Sequence, residues 1–269
     1  MDKVLRVAAA QMNCTLGDKE ANIRNASKLI EQAVVQGAKL VVLPELFNTG
    51  YRVEEQDMQL SEAIPGPTTD WLCAMSRKHQ IYTVSCILEK PSIEGVVFDT
   101  AILTGPQGII GTYRKIHLWD QENTRFGKGK AFPVFDLGFV RIGLQICYEV
   151  GFPEGARILT LRGADLVIYP SAFGKARLYA WDIATRSRAL ENGTYVIACN
   201  RSGVERGETV FGGSSRIVNP QGEVLVEASR EDEVILADLD LSLISKQRQT
   251  IPYLRDLNRA LIKEQLANV

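Results

Sequence analysis

Cys147 is the first residue whose type and position could support catalysis. It follows a predicted buried strand at residues 140–146 and precedes a predicted helix that opens with Pro153. A side chain on such a turn lies at the carboxyl edge of a sheet, where α/β proteins place their sites and where backbone N–H groups can stabilise a thiolate or an oxyanion. The alternative for any free cysteine is a buried structural thiol. We predict that structural role for the other four cysteines, Cys14, Cys73, Cys86 and Cys199.

Two charged residues also follow predicted strands. Glu45 comes after the wholly apolar run at residues 40–43. Burial there would raise its pKa, which suits a general base. Lys115 follows the predicted strand at residues 109–113, where an ammonium could stabilise a developing oxyanion. The alternatives are a strand-end acid and a strand-end cation that simply reach solvent.

Histidine and metal chemistry have little support in this sequence. The chain has 2 histidines, and a cysteine–histidine hydrolase would need one of them as its base. His79 is predicted to end a helix facing solvent, and the cations beside His117 disfavour a base there. No metal-ligand spacing and no glycine-rich phosphate loop occurs, so we predict neither a metal nor an organic cofactor.

The composition excludes several classes of protein. The 269 residues include 31 Lys and Arg against 32 Asp and Glu, a net charge of −1 that does not favour nucleic acid or a membrane surface as partner. No apolar run approaches the ~18 residues of a membrane helix. Charged residues interrupt residues 1–12, so we predict no signal peptide. We therefore expect reduced cysteines and a cytoplasmic protein.

Short apolar strands alternate with amphipathic helices along the chain, which predicts an α/β protein with helices covering its sheets. We predict a single domain over residues 1–269, with a helical tail from about residue 240 to 269. The predicted strands are residues 4–11, 40–43, 82–88, 98–103, 109–113, 140–146, 166–169, 195–199, 210–218, 223–227 and 234–238. The predicted helices are residues 18–36, 67–79, 153–162, 178–191 and 253–265.

One internal similarity suggests how these elements are arranged. Residues 37–47, GAKLVVLPELF, match residues 163–173, GADLVIYPSAF, at 6 of 11 positions, and both follow a predicted helix. Residues 6–8 and 141–143 resemble each other more weakly. The pattern suggests two similar strand–helix–strand halves, with two sheets packed face to face. The alternative is that a helix followed by Gly-Ala and a strand is a common arrangement in α/β proteins, and that it occurs here twice independently.

Taken in order, several motifs resemble the nitrilase superfamily of carbon–nitrogen hydrolases. They are LPELF (residues 43–47), YRKIHL (113–118), GLQICYE (143–149), YPSAF (169–173), RALEN (188–192) and NPQG (219–222). The resemblance implies a four-layer α-β-β-α sandwich and a catalytic triad of Glu45, Lys115 and Cys147. It also implies a role for Glu122, in ENTRFGKG (122–129), in orienting Lys115 or the substrate, and an assembly of two or more copies.

Some positions depart from the pattern of that superfamily. Glu149 stands where many relatives have Asp, Gly151 where many have Arg, and Lys128 where Pro is common. Tyr148 follows the cysteine where true nitrilases more often have Trp. These departures leave the triad intact and resemble amidase-type branches.

The activity expected from these residues is hydrolysis of a small amide through a cysteine thioester, releasing ammonia and a carboxylic acid. The alternatives are hydrolysis of an N-carbamoyl compound, nitrile hydrolysis, acyl transfer to an amine, and a non-catalytic binding protein. Residues after the predicted strands are expected to line the substrate pocket: Tyr51, Trp119, Tyr148, Phe152, Ser171 and Phe173.

Overall fold

The computed structural model describes residues 4–92 and 95–267. Residues 1–3 lie outside these ranges. Residues 268–269, which end the predicted helical tail, also lie outside them. The first sheet contains six strands, β1 (Val4–Gln11), β2 (Leu40–Val42), β3 (Tyr82–Glu89), β4 (Phe98–Gly105), β5 (Gly108–Arg114) and β14 (Glu233–Asp240). The second contains β6 (Val134–Asp136), β7 (Arg141–Leu144), β8 (Leu166–Pro170), β9 (Tyr195–Cys199), β12 (Arg216–Val218) and β13 (Val224–Glu227).

The strand orders show two halves of similar construction. The first sheet runs β14-β1-β2-β3-β4-β5 and the second β13-β12-β9-β8-β7-β6. Parallel pairs form the centre of each sheet: β1, β2 and β3 in the first, and β7, β8 and β9 in the second. A short ribbon, β10 (Val204–Glu205) with β11 (Thr209–Val210), stands apart. The predicted pair of sheets is confirmed.

Helices cover the outer faces of both sheets. The principal ones are α1 (Lys19–Val35) and α3 (Pro67–His79) on the first sheet, and α5 (Pro153–Leu161) and α6 (Leu178–Asn192) on the second. The short α2 (Asp57–Leu60) and α4 (Glu122–Arg125) lie in loops. After β14 come α7 (Ser242–Thr250), α8 (Tyr253–Asp256) and α9 (Arg259–Leu266). Within the described part of the chain, no helix is long and apolar enough to cross a membrane.

Alternate residues of the central strands build two different cores. Val7 of β1 and Val42 of β2 face the second sheet, whereas Ala8 and Val41 pack under the helices. This follows from the two-residue period of a strand. Because both faces are buried, the strands read as continuous apolar runs, which is why they were recognisable in the sequence.

Several predicted boundaries match local chemistry. The Asp18 carboxylate accepts a 2.9 Å hydrogen bond from the Ala21 N–H and caps α1, as expected for an N-terminal Asp. The helix α3 spans the predicted residues, with Pro67 in its first turn. The strand predicted at residues 140–146 is shorter, because Cys147 already starts a 3-10 turn and only Arg141–Leu144 is paired.

Two other predicted elements were wrong in extent. The strand predicted at residues 210–218 is confined to β12, since Gly213 and Ser214 adopt left-handed φ values of 57° and 53°. The helix predicted at residues 253–265 is two helices, because Leu257 is extended and Asn258 caps a new start at α9. The helix α7 lies within the helical tail predicted from about residue 240, but its own bounds were not predicted because it buries little apolar surface and has weak periodicity.

Candidate active site

The three residues of the predicted triad, and Ala172, which was not predicted, each follow the end of a different strand. Glu45 follows β2, and Lys115 follows β5 in the same sheet. Cys147 follows β7, and Ala172 follows β8 in the other sheet. Since the two sheets pack face to face, their carboxyl ends bring these four residues together.

Lys115 lies at the centre of the cluster. Its Nζ is 2.6 Å from Oε1 of Glu45 and 2.9 Å from Oε1 of Glu122, and both are hydrogen bonds. Oδ2 of Asp99 is 3.5 Å from the same nitrogen. The carboxylate oxygens of these three acids lie within 4.8 Å of one another, a spacing that could hold a metal ion. The cation that they surround is the Lys115 ammonium.

Glu45 is fully buried and held at both oxygens. Oε1 accepts from Lys115, and Oε2 accepts a 2.7 Å hydrogen bond from the Ala172 N–H. Burial alone would raise the pKa of Glu45, but the attraction of Lys115, together with the polar groups of Asp99 and Cys147 nearby, outweighs this effect and lowers the pKa. The expected rise was therefore wrong: the neighbouring cation decides the direction.

The thiol of Cys147 is buried and neutral at rest. Burial raises its pKa well above the usual value, and the negative charge of Glu45 raises it further, against the opposing effect of Lys115. Cys147 adopts a left-handed φ of 47°, which costs a non-glycine residue about 1–2 kcal/mol. The thiol borders the cavity, and the charges of Glu45 and Lys115 both act on it there.

Lys115 remains an ammonium in this environment. Burial would lower its pKa, but the surrounding acids, led by Glu122 and then Glu45 and Asp99, raise the pKa well above the usual value. A fixed positive charge in a fully buried site acts strongly on any charge that develops beside it.

Glu122 connects the cluster to the cavity wall. Oε1 accepts hydrogen bonds from the Tyr51 hydroxyl at 2.7 Å and from Lys115 at 2.9 Å, and Oε2 accepts from the Trp119 N–H at 2.8 Å. Its carboxylate is thus satisfied by three donors and orients the ammonium.

A cavity of about 370 Å³ opens beside Cys147. Its wall includes four of the six predicted pocket residues, Tyr51, Trp119, Tyr148 and Phe173. The prediction was wrong for two others. The Phe152 ring stacks on His117 at 4.0 Å and packs against Tyr148 from behind. Ser171 is fully buried and donates its hydroxyl to the Tyr169 carbonyl.

Glu149 braces the segments that carry Lys115 and Cys147. Its carboxylate accepts hydrogen bonds from the N–H groups of Ile116 and His117, both at 3.1 Å, and of Ile146 at 2.9 Å. The Tyr113 hydroxyl donates to the same group at 2.7 Å. His117 is held against the same group, because Nδ1 lies 3.3 Å from Glu149 and the ring stacks on Phe152.

Sequence reasoning missed several residues at the site, of which three bear on its chemistry. Asp99 is fully buried within β4, and an Asp inside an otherwise apolar strand was a signal that could have found it. Phe211 and Arg177 also line the cavity. They come from the short ribbon and from a 3-10 turn (Lys175–Arg177), which have no periodic pattern to reveal them.

Comparison with known proteins agrees with this architecture. The sequence model of the carbon–nitrogen hydrolase family matches residues 6–249. The chain is 42% identical over 260 residues to a nitrilase of Pyrococcus abyssi, covering 95% of each chain. It is 36% identical over 248 residues to an omega-amidase of Homo sapiens, covering 88% of this chain and 89% of that protein.

A solved structure shows the same fold. The amidase from Nesterenkonia sp. AN1 superposes with a TM-score of 0.86 at 28% identity, covering 97% of this chain and 99% of that one. The two sheets with their outer helices, the converging strand ends and the family match define a carbon–nitrogen hydrolase. The chain belongs to the carbon–nitrogen hydrolase family of the nitrilase superfamily, as its motifs predicted, and it is an enzyme of that family.

Proposed function

We propose that this enzyme hydrolyses a small amide through a thioester on Cys147. The observation that carries the proposal is the 2.6 Å hydrogen bond between Lys115 and Glu45, whose charges act on the Cys147 thiol in the wall of an open cavity. Two relatives support the amide class, since one is an omega-amidase and the other an amidase, a mutant of which shows Michael addition of acrylamide at its active-site cysteine.

The first step needs a base, because burial raises the pKa of Cys147 and keeps its thiol protonated. Glu45 takes the thiol proton as the sulfur attacks the amide carbonyl carbon, so that no free buried thiolate has to form. The histidines take no part.

The tetrahedral oxyanion forms beside two donors. The Lys115 ammonium is already in place, and the backbone N–H of Tyr148 starts the turn after the nucleophile. A donor of this kind contributes about 3–4 kcal/mol to the transition state. Glu122 holds the ammonium in position through its 2.9 Å hydrogen bond.

The second half of the reaction reuses the same base. Glu45 returns its proton to the leaving nitrogen, the C–N bond breaks and ammonia departs. Water then enters, Glu45 removes a proton from it, and the hydroxide attacks the thioester carbonyl. The C–S bond breaks, the proton returns to the sulfur, and the carboxylic acid leaves.

The cavity suggests the form of the substrate. Aromatic rings line the part near Cys147, while the Arg177 guanidinium lies 4.7 Å from the centre of the Trp119 ring. No carboxylate among the described residues forms an ion pair with Arg177, whereas Glu54 and Glu122 are paired with other cations. We therefore propose an amide whose far end carries a carboxylate.

A substrate panel tests the activity. We expect ammonia and a carboxylic acid from short amides, and more rapid turnover when the amide carries a distal carboxylate. Carbon dioxide released together with ammonia from ureido compounds would instead indicate N-carbamoyl hydrolysis, and turnover of nitriles would indicate a nitrilase. The mass of the adduct trapped on Cys147 identifies the acyl group.

We also propose that the enzyme acts as a homodimer or a larger assembly. Tyr179 and Ile183 project from the outer face of α6 with 71% and 66% of their surfaces exposed. Exposed large apolar side chains that adjoin one another favour association. Measuring the mass in solution by light scattering tests this proposal.

A further inference from the structure

The buried cluster contains more acids than cations. Three carboxyl groups, those of Glu45, Asp99 and Glu122, surround the single ammonium of Lys115. If all three were ionised, a region with fully buried side chains would carry a net charge of −2. Such an imbalance without solvent is unfavourable, and a buried acid in this position takes up a proton instead.

The hydrogen-bond donors show where the proton resides. Glu45 receives Lys115 at 2.6 Å and the Ala172 N–H at 2.7 Å, and Glu122 receives three donors. Neither oxygen of Asp99 accepts a hydrogen bond from any other described residue. Its nearest cation, Lys115, stands 3.5 Å away, and two of the three N–H groups of Lys115 are directed at the two glutamates.

We propose that Asp99 is a protonated carboxylic acid in the resting enzyme, and that it donates a hydrogen bond to Glu45. The cluster then carries one ammonium, two carboxylates and one neutral acid. With this proton, Asp99 can donate a hydrogen bond to the neighbouring carboxylate of Glu45.

The surroundings of Asp99 raise its pKa on balance, which favours the protonated acid. Burial raises its pKa well above the usual value, and the negative charge of Glu45 raises it further, followed by a smaller effect of Glu122. Lys115 opposes this rise without cancelling it. The remaining titratable neighbour is the Cys86 thiol on β3, which burial keeps neutral by raising its pKa well above the usual value.

Asp99 is thus a positioning residue that acts through Glu45. By donating to the base it helps keep Glu45 ionised and fixed beside Lys115. This role rests on the proposed function of Glu45, whereas the presence of the proton does not.

Infrared spectroscopy tests the proton without any turnover. Protein grown with carbon-13-labelled aspartate at pH 7 should show the C=O stretch of a protonated carboxylic acid, shifted by the label. That band should vanish in Asp99→Asn and persist in Asp57→Asn, since Asp57 is buried but paired with Arg125 at 2.7 Å. Absence of a labelled acid band in the wild-type enzyme would overturn the proposal even if neither variant folded.

The pH profile of kcat/KM tests the positioning role. Asp99→Asn keeps a neutral donor, so we expect its acid limb within about half a pH unit of the wild type. Asp99→Leu removes the donor, so its acid limb should move to higher pH and kcat should fall while KM changes little. An acid limb shifted to lower pH in Asp99→Asn would mean that a negative charge had been removed, and would refute a neutral Asp99. An unchanged Asp99→Leu profile would refute its action through Glu45.

Discussion

The Ala172 N–H donates a 2.7 Å hydrogen bond to Oε2 of Glu45. The two residues lie in the two similar segments of the chain, one after β2 in the first sheet and one after β8 in the second. The bond therefore joins the two halves of the molecule at the carboxylate proposed as the base. Since one partner is a backbone group, the orientation of Glu45 depends on the docking of the sheets.

Replacing the proposed nucleophile should abolish turnover. Cys147→Ala removes the only atom that can form the thioester, so we expect ammonia release to fall by about 10⁴-fold or more. Mass spectrometry should find an acyl adduct on the wild-type enzyme and none on the variant. Cys73→Ala, at a half-buried thiol of α3, is the control and should keep full activity. Turnover by a folded Cys147→Ala variant would disprove the mechanism.

The acid limb of activity should lie at low pH. Glu45 acts only when ionised, and its lowered pKa keeps it ionised as the pH falls. We therefore expect kcat/KM to decline only below about pH 4.3, the ordinary glutamic acid value, provided that the protein remains folded by circular dichroism. A limb well above that value, with the fold intact, would show that the base has a raised pKa.

Removing the buried cation should destabilise the fold. Lys115→Met leaves the surrounding carboxylates uncompensated, and breaking a buried pair in this way costs about 3–5 kcal/mol. Urea denaturation at pH 7 measures the loss, which should shrink at lower pH as the acids take up protons. Lys78→Met breaks the exposed pair with Glu31 and should cost about 1 kcal/mol or less. Equal losses in the two variants would contradict the buried cluster.

Arg177 should govern the preference for anionic amides. In Arg177→Met we expect kcat/KM for an amide with a distal carboxylate to fall about 10-fold or more, whereas a neutral amide of the same length should be little affected. The matched control is Lys175→Met, in the same 3-10 turn but outside the cavity wall. Equal effects on both substrates would rule out recognition of the carboxylate by Arg177.

The outer face of α6 should determine assembly. Ile183→Glu places a charge on an exposed apolar position, which should dissociate an interface formed there at little cost to the fold of each chain. Light scattering should report a smaller mass for this variant than for the wild type. Leu266→Glu, in the exposed part of α9, distinguishes an interface that uses the tail instead.

Much of the fold could be predicted because it depends on local patterns. The run at residues 40–43 is apolar throughout because β2 is buried on both faces. Asp18 is an N-cap residue, and its type predicts the start of α1. Strand ends in an α/β protein mark candidate residues, so Glu45, Lys115 and Cys147 could be singled out individually. The sequence predicted a helical tail but could not give the bounds of α7 or the break at Leu257, since neither depends on apolar periodicity.

What only the tertiary structure decided is how these residues act on one another. Glu45 and Lys115 are 70 positions apart in the sequence, yet their contact reverses the expected direction of the Glu45 pKa. The protonation state of Asp99 depends on these two neighbours, and the sequence of a strand does not show which charged groups will lie beside a carboxylate. The sequence determined which chemical groups end the strands. The packing of the two sheets determined their distances, and electrostatic effects in a buried site depend on those distances.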